Sequence, residues 1–464
     1  MSTIAEIMSG ACGIEGVQRL MAEDAIGGVV QSMLQPSAAL AACHLRRAKF
    51  KPGRKLTAYY DVAIDDPRQA DGTTVRLITR PMTVTWTPPG TPHKLATAAG
   101  ALGAEIQQRG LAEPFAQLIC DRPDANLHVQ VAPFDPVFPH LARLMDPHYA
   151  REALHDCAAP DSHWTVTPIR YRPRQRHVLR YDVQGDAALT STPPQTLFAK
   201  VYADDSRQAF CARNHQIADW LAAASSTVSA LRPLAYLPAD FTILYAQVDG
   251  QPLSAKLENV GETGADAPYH NLAQTGAALH TLHRAPASLT NGLPPLPMDA
   301  ELKAIKRTCE HIAALLPDVW RQIQSILAQA AAMYATLPQE APTFVHGDFK
   351  ADHVLAAGDR LTLIDFDSCA LADPAYDIGK FIADLVWWDG DVRSAACERA
   401  VDAFLDGYGL SAHEPRWQRA RIWQALIGIK MTAHRVRIFD AQWAARTAAA
   451  VHNCAAPLFE MSNV

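Results

Sequence analysis

Long apolar runs are missing from this sequence. No stretch reaches the roughly 18 consecutive apolar residues a membrane-spanning helix needs, and no early segment joins a basic start to an apolar run and a small-residue cleavage site. A soluble, cytoplasmic protein with no membrane partner is expected. Paired cysteines are missing too. The nine cysteines are scattered with no C-x-x-C pair, so they read as reduced, mostly buried thiols rather than a disulfide frame or zinc site. Cys369, beside an acidic cluster, reads as a small apolar filler rather than a nucleophile. Positive charge is scarce in one part of the chain: of 48 Asp+Glu and 42 Lys+Arg, 24 and 18 lie from Gln251 onward, so the whole net charge of -6 sits there. That field disfavours nucleic acid, and its plain meaning is a solvated acidic surface.

What is present is ample core material: 464 residues, 49% of them hydrophobic, suffice for two or three domains. An internal repeat organises the first part. "KFKPGRKLTAYYDV" (Lys49–Val62) aligns without gaps to "RYRPRQRHVLRYDV" (Arg170–Val183). Each copy continues past a polar loop into a β-rich run, "TTVRLITR" (Thr73–Arg80) and "QTLFAKVY" (Gln195–Tyr202), so each is a strand–turn–strand–loop–strand unit. The second copy carries Lys200 in its last strand; the first offers Ile78 or a close neighbour there and no lysine. A prolyl-rich stretch containing Leu141, Leu144, Met145 and Tyr149 at helical spacing separates the copies, with a boundary near residues 155–165. Beyond them, Ser206–Ser226 reads as a helix and Phe241–Leu253 as a strand running into a turn. Tyr269–Arg284, Lys303–Leu337 and Arg416–Val451 then have helical period. The order is β-rich lobe, connecting strand, mostly helical lobe.

The chemistry sits in "FVHGDFKADHVLAAGDRLTLIDFDSCALADPAYDIG", which holds seven aspartates. "TFVHGD" reads as a strand ending in a turn at Gly347, and "LTLIDFD" as a second strand ending at Asp365. Two acidic loops at the ends of neighbouring strands can meet over one cation, and magnesium takes few protein oxygens, the rest coming from phosphate and water. Phosphoryl transfer needs that metal, a carboxylate on the attacking hydroxyl and a lysine on the phosphates. Asp348, Asp365 and Lys200 fill these roles in chain order.

Together "VHGD", "VL", "LIDFD" and "DPAYDIG" resemble the aminoglycoside phosphotransferase/choline kinase family, relatives of the protein kinases, over about residues 165–464. The resemblance implies an α+β, bilobal protein-kinase-like fold: a β-rich lobe over 161–250, a mainly helical lobe over 251–464, and a small α+β cap over 1–160. It implies an enzyme using ATP and Mg2+. Asp348 becomes the catalytic base, Asp365 the chief metal ligand, and Lys200 the contact to the α- and β-phosphates. The Ala246 carbonyl and Val248 amide in "YAQVDG" would hold adenine, and Lys350 would steady the γ-phosphate.

Three departures from the family stand out. His353 replaces the usual asparagine that binds a second metal, although its ring N–H suits a phosphate or metal-bound water instead. The helix after Lys200 has no glutamate, leaving Asp219 or Gln216 as its partner. The turn "RYRPRQRH" lacks glycine, so arginines such as Arg174 would bind phosphate by side chain. Asp373 and Asp377 read as helix caps and loop anchors. Asp384, Trp387, Trp388 and Asp389 would face an acceptor. The extra amino-terminal region resembles the cap of bacterial maltokinases and glucosamine kinases, which implies a sugar or amino-sugar hydroxyl as acceptor. Antibiotic inactivation (macrolide or aminoglycoside) is the alternative, and a nucleotide-binding pseudokinase a third reading. The chain is expected to act on a small-molecule hydroxyl acceptor, as a monomer or homodimer.

Overall fold

The repeat folds as two antiparallel hairpins, and the computed structural model extends it far beyond the aligned segment. The structure describes residues 3–66, 77–91, 96–155, 163–184, 196–257, 267–389, 394–411 and 413–462, so the boundary expected near 155–165 lies largely outside it. Strands β1 (Ala39–Lys51), β2 (Lys55–Asp65), β3 (Leu77–Trp86), β4 (Ile119–Arg122) and β5 (Leu127–Val131) form one sheet in the order β1-β2-β3-β5-β4. Strands β6 (His163–Arg172), β7 (Arg176–Gln184), β8 (Thr196–Val201), β10 (Ala235–Leu237) and β11 (Thr242–Ala246) form a second in the order β6-β7-β8-β11-β10, while β9 (Val228–Ala230) lies elsewhere. The two orders are the same.

The correspondence reaches single residues. Both hairpin turns carry a left-handed residue at the same place, Gly53 (φ 66°) and Arg174 (φ 63°). Thr57 pairs with Thr85 as Val178 pairs with Lys200, so the first-copy residue at the lysine position is Thr85. That corrects the expectation of Ile78. The strand runs on to Trp86, and counting from its start misplaces the register. The amide of Thr87 donates to Asn126 O and that of Tyr202 to Phe241 O; Ala132 N donates to Pro81 O as Gln247 N does to Thr196 O. Asn126 (φ 48°) and Phe241 (φ 47°) each follow a short Pro-led turn, Pro123–Ala125 and Pro238–Asp240. A helix occupies the same interval in both copies, Ala96–Gln108 and Gln208–Ala224. The amino-terminal region is thus a complete second sheet of the same design.

Both sheets belong to one compact unit (Met1–Ala209, Pro233–Gln247, Arg437–Ala441). The connector between the copies buries Phe138, Leu141, Leu144, Met145, Ala150 and Leu154 against Trp164, Tyr181, Leu197 and Val201 of the second sheet. Asp135 fixes its course. This fully buried carboxylate accepts from Val137 N, from Arg174 N at 2.7 Å and from His177 Nε2 at 2.8 Å.

The second unit (Phe210–Arg232, Val248–Val436, Gln442–Val464) is mainly helical. A small sheet joins β12 (Gln251–Pro252), β14 (Val354–Ala357), β15 (Arg360–Leu363) and β9, and β13 (Thr343–Val345) pairs separately with β16 (Ala370–Ala372). The periodic stretch Lys303–Leu337 is broken into Met298–Thr308, Glu310–Leu315 and Pro317–Thr336, with Pro317 opening the last. Helices Ala375–Asp389 and Pro415–Arg435 cross closely at Gly379, where a Cβ would press on Ala420 O and Trp423 Cβ. No described helix is long and apolar enough to cross a membrane. A β-rich unit and a mainly helical unit give the α+β class.

Asp135→Ala should strand the buried His177 ring and two backbone amides. The expected loss is about 3 kcal/mol in urea unfolding. A variant within 0.5 kcal/mol of wild type, roughly the scatter of a surface change, would contradict the anchoring role.

Candidate active site

Two loops meet here because one residue has no side chain. Gly347 (φ 78°) follows β13, and a Cβ at that position would collide with the carbonyl of Ser368 in the loop after β15. The parent strands are not neighbours: β13 pairs with β16, and β15 with β14 and β9. That corrects the picture of adjoining strands. Instead the loops are stitched by His346, fully buried, whose Nε2 donates to Ile364 O at 3.0 Å while Nδ1 receives Asp348 N at 3.4 Å.

The result is a cluster. Asp348, His353 and Asp365 each offer a ligand atom, all within 4.8 Å of one another. Asp365 adopts a left-handed backbone (φ 66°, ψ 53°), a strained conformation that aims its carboxylate. His353 Nδ1 lies 2.9 Å from Asp348 O. A carbonyl only accepts, so Nδ1 carries the proton, and burial followed by the Lys350 charge pushes the ring pKa down to about 3. The neutral ring therefore turns the Nε2 lone pair toward Asp365 Oδ2, 3.4 Å away. Two electron-rich atoms face each other, an arrangement that a shared cation relieves. The ring N–H is spent on the backbone, which removes the alternative that it holds a phosphate.

Asp348 is gripped on both sides. Lys350 Nζ lies 3.0 Å from Oδ2, and Lys380 Nζ 3.4 Å from Oδ1. Burial favours the neutral acid, but Lys380 and Lys350 outweigh it and hold the carboxyl at about 2. Lys380 was not anticipated from the sequence. It is buried, with Met431 Sδ as a further neighbour at 3.9 Å. Its signal was helical spacing. Asp377, Lys380 and Asp384 stand at i, i+3 and i+7 on Ala375–Asp389 and all reach the loop carrying Asp348. Asp377 accepts His346 N at 2.6 Å and Gly347 N at 2.9 Å. Asp384 accepts Ala351 N at 3.1 Å and pairs with Arg435. Fully buried, Asp384 positions the loop and does not face an acceptor as expected; the side chains of Trp388 and Asp389 lie outside the described residues. Asp373 caps its helix through Ala375 N and holds Arg419 and Tyr334.

The same helix walls a cavity of about 340 Å3, lined by Ala383, Trp387, Gln424, Thr432, Arg446 and Asn453 among others. The Arg435 guanidinium lies 5.6 Å from the centre of the Trp387 ring.

The remaining sequence candidates lie on the other sheet-bearing segments. Lys200 stands on β8 between Ile243 and Val178, its Nζ 5.6 Å from the Tyr245 ring centre. Asp219, suggested as its partner, pairs with Arg232. Ala246 ends β11, and Val248 is the first residue of the second unit after that strand. The Arg174 amide is taken by Asp135.

A model of the phosphotransferase enzyme family matches residues 182–423, a little over half of the chain. The chain belongs to that family. Among solved structures it is similar to an aminoglycoside phosphotransferase, APH(2")-IIia in complex with GDP and kanamycin (14% identity, 67% of this chain and 98% of that one, TM-score 0.47). It is also similar to a choline/ethanolamine kinase family protein from Mesorhizobium loti (18%, 67% and 94%, 0.43) and to choline kinase from Cryptosporidium parvum Iowa II (10%, 70% and 95%, 0.45). No curated protein matches it in sequence. This phosphotransferase joins a β-rich unit to a mainly helical one, and Asp348, Lys350, His353 and Asp365 of the cluster described above all lie inside the matched segment.

Replacing Lys380 with Met should cost this phosphotransferase on the order of tenfold or more in kcat, one pKa unit of carboxylate stabilisation. KM for the nucleotide should stay within about threefold, since the ammonium lies against Asp348 and Met431 rather than against the Asp365 side of the cluster. Equal losses in both constants would assign Lys380 to nucleotide binding. Because the folded pKa of Asp348 is depressed from an ordinary value near 3.9, its stabilisation is complete above that value and fades as pH falls toward about 2. Stability measured between pH 5 and 8 should carry no Asp348 titration, and the difference between wild type and Asp348→Asn should shrink only below about pH 4.

Proposed function

We propose that this phosphotransferase moves the γ-phosphoryl group of magnesium-bound ATP to a hydroxyl of a sugar or amino sugar. The convergence of Asp348, His353 and Asp365 within 4.8 Å is the observation that carries the proposal. Two carboxylates and one imidazole lone pair suit a divalent cation, and phosphates and water would complete an oxygen-rich shell. Held by Asp348, His353 and Asp365, a magnesium ion would supply the positive charge that neutralises the nucleotide's phosphates.

The chain's own residues do the rest. Asp365 and His353 Nε2 hold the cation side of the cluster. Asp348 orients the acceptor hydroxyl and takes its proton as the new O–P bond forms and the bond from the γ-phosphorus to the β,γ-bridging oxygen breaks, releasing ADP. Its low pKa makes it a weak base in the ground state, which suits a loose transition state in which the hydroxyl becomes acidic only late. Lys350, on one oxygen of Asp348, is placed to turn to the γ-phosphate, while Lys380 keeps the other oxygen in position. Lys200 is assigned to the α- and β-phosphates, the Ala246 carbonyl and Val248 amide to adenine, and the Arg174 side chain to the phosphate tail. With the Arg174 amide occupied by Asp135, only its guanidinium is available.

The cavity walled by Ala383 and Trp387 has the size and lining for a small polyhydroxylated acceptor. Its volume is within the range of small-molecule sites, about 300–1,000 Å3. An indole wall at Trp387 offers a face to the ring of a sugar, and Gln424 and Asn453 offer amides to its hydroxyls.

A kinase-coupled screen of sugars, amino sugars, aminoglycosides and macrolides tests the proposal. Magnesium-dependent ATP consumption with a sugar is expected. Asp348→Asn should then lose about 10²–10⁴ in kcat, and Asp365→Ala should abolish magnesium-dependent ATP binding in calorimetry. Turnover confined to the antibiotics would replace the acceptor class. ATP binding without turnover on any acceptor would make the chain a nucleotide-binding module.

A further inference from the structure

The two copies of the hairpin share one property of which the reading above uses only the Arg174 side chain. Arg47, Lys49 and Lys51 alternate along β1 and so project from one face, where Lys55 lies opposite Lys51 and Tyr59 opposite Arg47. Against that face sits the turn of the second hairpin: Gln175 Nε2 donates to Tyr59 Oη at 3.1 Å. Arg172 and Arg174 of that turn thereby join the lysines of the first. Lys49, Lys51 and Arg172 are half-buried between the hairpins, while Lys55 and Arg174 rim them.

The charges repel one another. Lys49 is pushed below the usual amine range by burial and by Lys51, Arg47, Lys55 and Arg172. Lys55 is lowered by burial, Lys51, Arg174 and Arg54. Burial, Arg47, Arg170 and Arg176 bring Arg172 down to about 10. Among the described residues, none of the six (Arg47, Lys49, Lys51, Lys55, Arg172, Arg174) forms an ion pair with a carboxylate, whereas the neighbouring Arg46 does so with Asp61 and Arg180 with Asp182. Six clustered cations, four of them half-buried (Arg47, Lys49, Lys51 and Arg172), fit a compact anion of several charges. Guanidinium forks and ammonium points are the groups that recognise phosphate oxygens.

We propose that the facing hairpins form a binding site for a small phosphate-bearing polyanion. The occupant is either the phosphate tail of the donor nucleotide or a separate phosphorylated metabolite; both present the same clustered oxyanions. Only the first of these rests on the functional reading above. A flat bilayer or an extended nucleic acid would meet the rim alone, leaving the half-buried cations unmatched.

Calorimetric titration of the full chain with inorganic tripolyphosphate, at near-physiological ionic strength, tests this without any turnover. Wild type should bind, and Lys51→Glu/Lys55→Glu should lose at least tenfold in affinity while keeping its melting temperature. Should that double variant fail to fold, Lys55→Ala at the exposed rim should still lose about threefold. Repeating the titration with saturating magnesium and a non-hydrolysable ATP analogue separates the sources. Unchanged affinity assigns the site to a separate metabolite, and lost binding, with weaker analogue affinity in the variants, assigns it to the donor. Tripolyphosphate affinity equal in wild type and variants, or binding of heparin but not of tripolyphosphate, would overturn the proposal. Because the readout is binding, a chain that proved inactive on every acceptor would leave the result intact.

Discussion

A missing methyl group decides where the carboxylates go. At Gly347 the backbone of one loop lies against Ser368 of the other, too close for any Cβ. Only that approach lets Asp348 and His353 on one loop share space with Asp365 on the other. The positive φ at both Gly347 and Asp365 is the conformational cost of the meeting. It is offset by buried hydrogen bonds at His346 and by packing of the His346 ring against Phe366, with centres 4.8 Å apart. A site whose ligands come from separate sheets needs such a stitch, since no ladder of strand hydrogen bonds sets their distance.

The second constraint is a helix used as a ruler. Asp377, Lys380 and Asp384 contact successive points of the loop 346–351, from His346 N through the Asp348 carboxylate to Ala351 N. A loop held at both ends and in the middle by one rigid element has little freedom to misplace its carboxylate, which is what positioning catalysis requires. The helix is itself located by Asp373, Arg419 and Glu340, a buried network beneath its first turn. Buried charge is tolerated there because each group has a partner.

Much of this was legible in the residues. The HGD and IDFD clusters announced the carboxylates, and the repeat announced the hairpins, because both are local patterns with fixed spacing. Lys380 was not legible as part of the site. An isolated lysine in a helix normally snorkels to water, and only the packing of Ala375–Asp389 on the loop turns it inward. Asp384 was misread for the same reason: its distance from Asp348 along the chain, 36 residues, says nothing about its burial against Ala351 and Arg435. The pairing of β13 with β16 rather than β15 is long-range topology, which no short motif encodes. Equating Lys200 with Ile78 failed by register, since a strand's start is less well marked than its pairing.

The two copies also differ at the positions that the proposed function assigns to the nucleotide. Counting in register from the pairs that match, Thr85 stands where the second copy has Lys200, and Pro133 stands where it has Val248. A threonine cannot reach or neutralise a phosphate as an ammonium does, and a proline has no N–H to give to a base. The first copy therefore lacks the two groups that the proposed function assigns to the nucleotide, yet it keeps the sheet, the left-handed turn and the cations of its hairpin. Retention of the fold without the donor groups is what a scaffold role requires: its Tyr59 meets the second turn, and its connector supplies Asp135 to the backbone of Arg174 and the ring of His177. The second turn has no glycine and is tied from outside by a carboxylate. With its backbone tied in this way, the turn would meet a phosphate, as the proposed function assigns it, through side chains, for which arginine and lysine are the suitable residues.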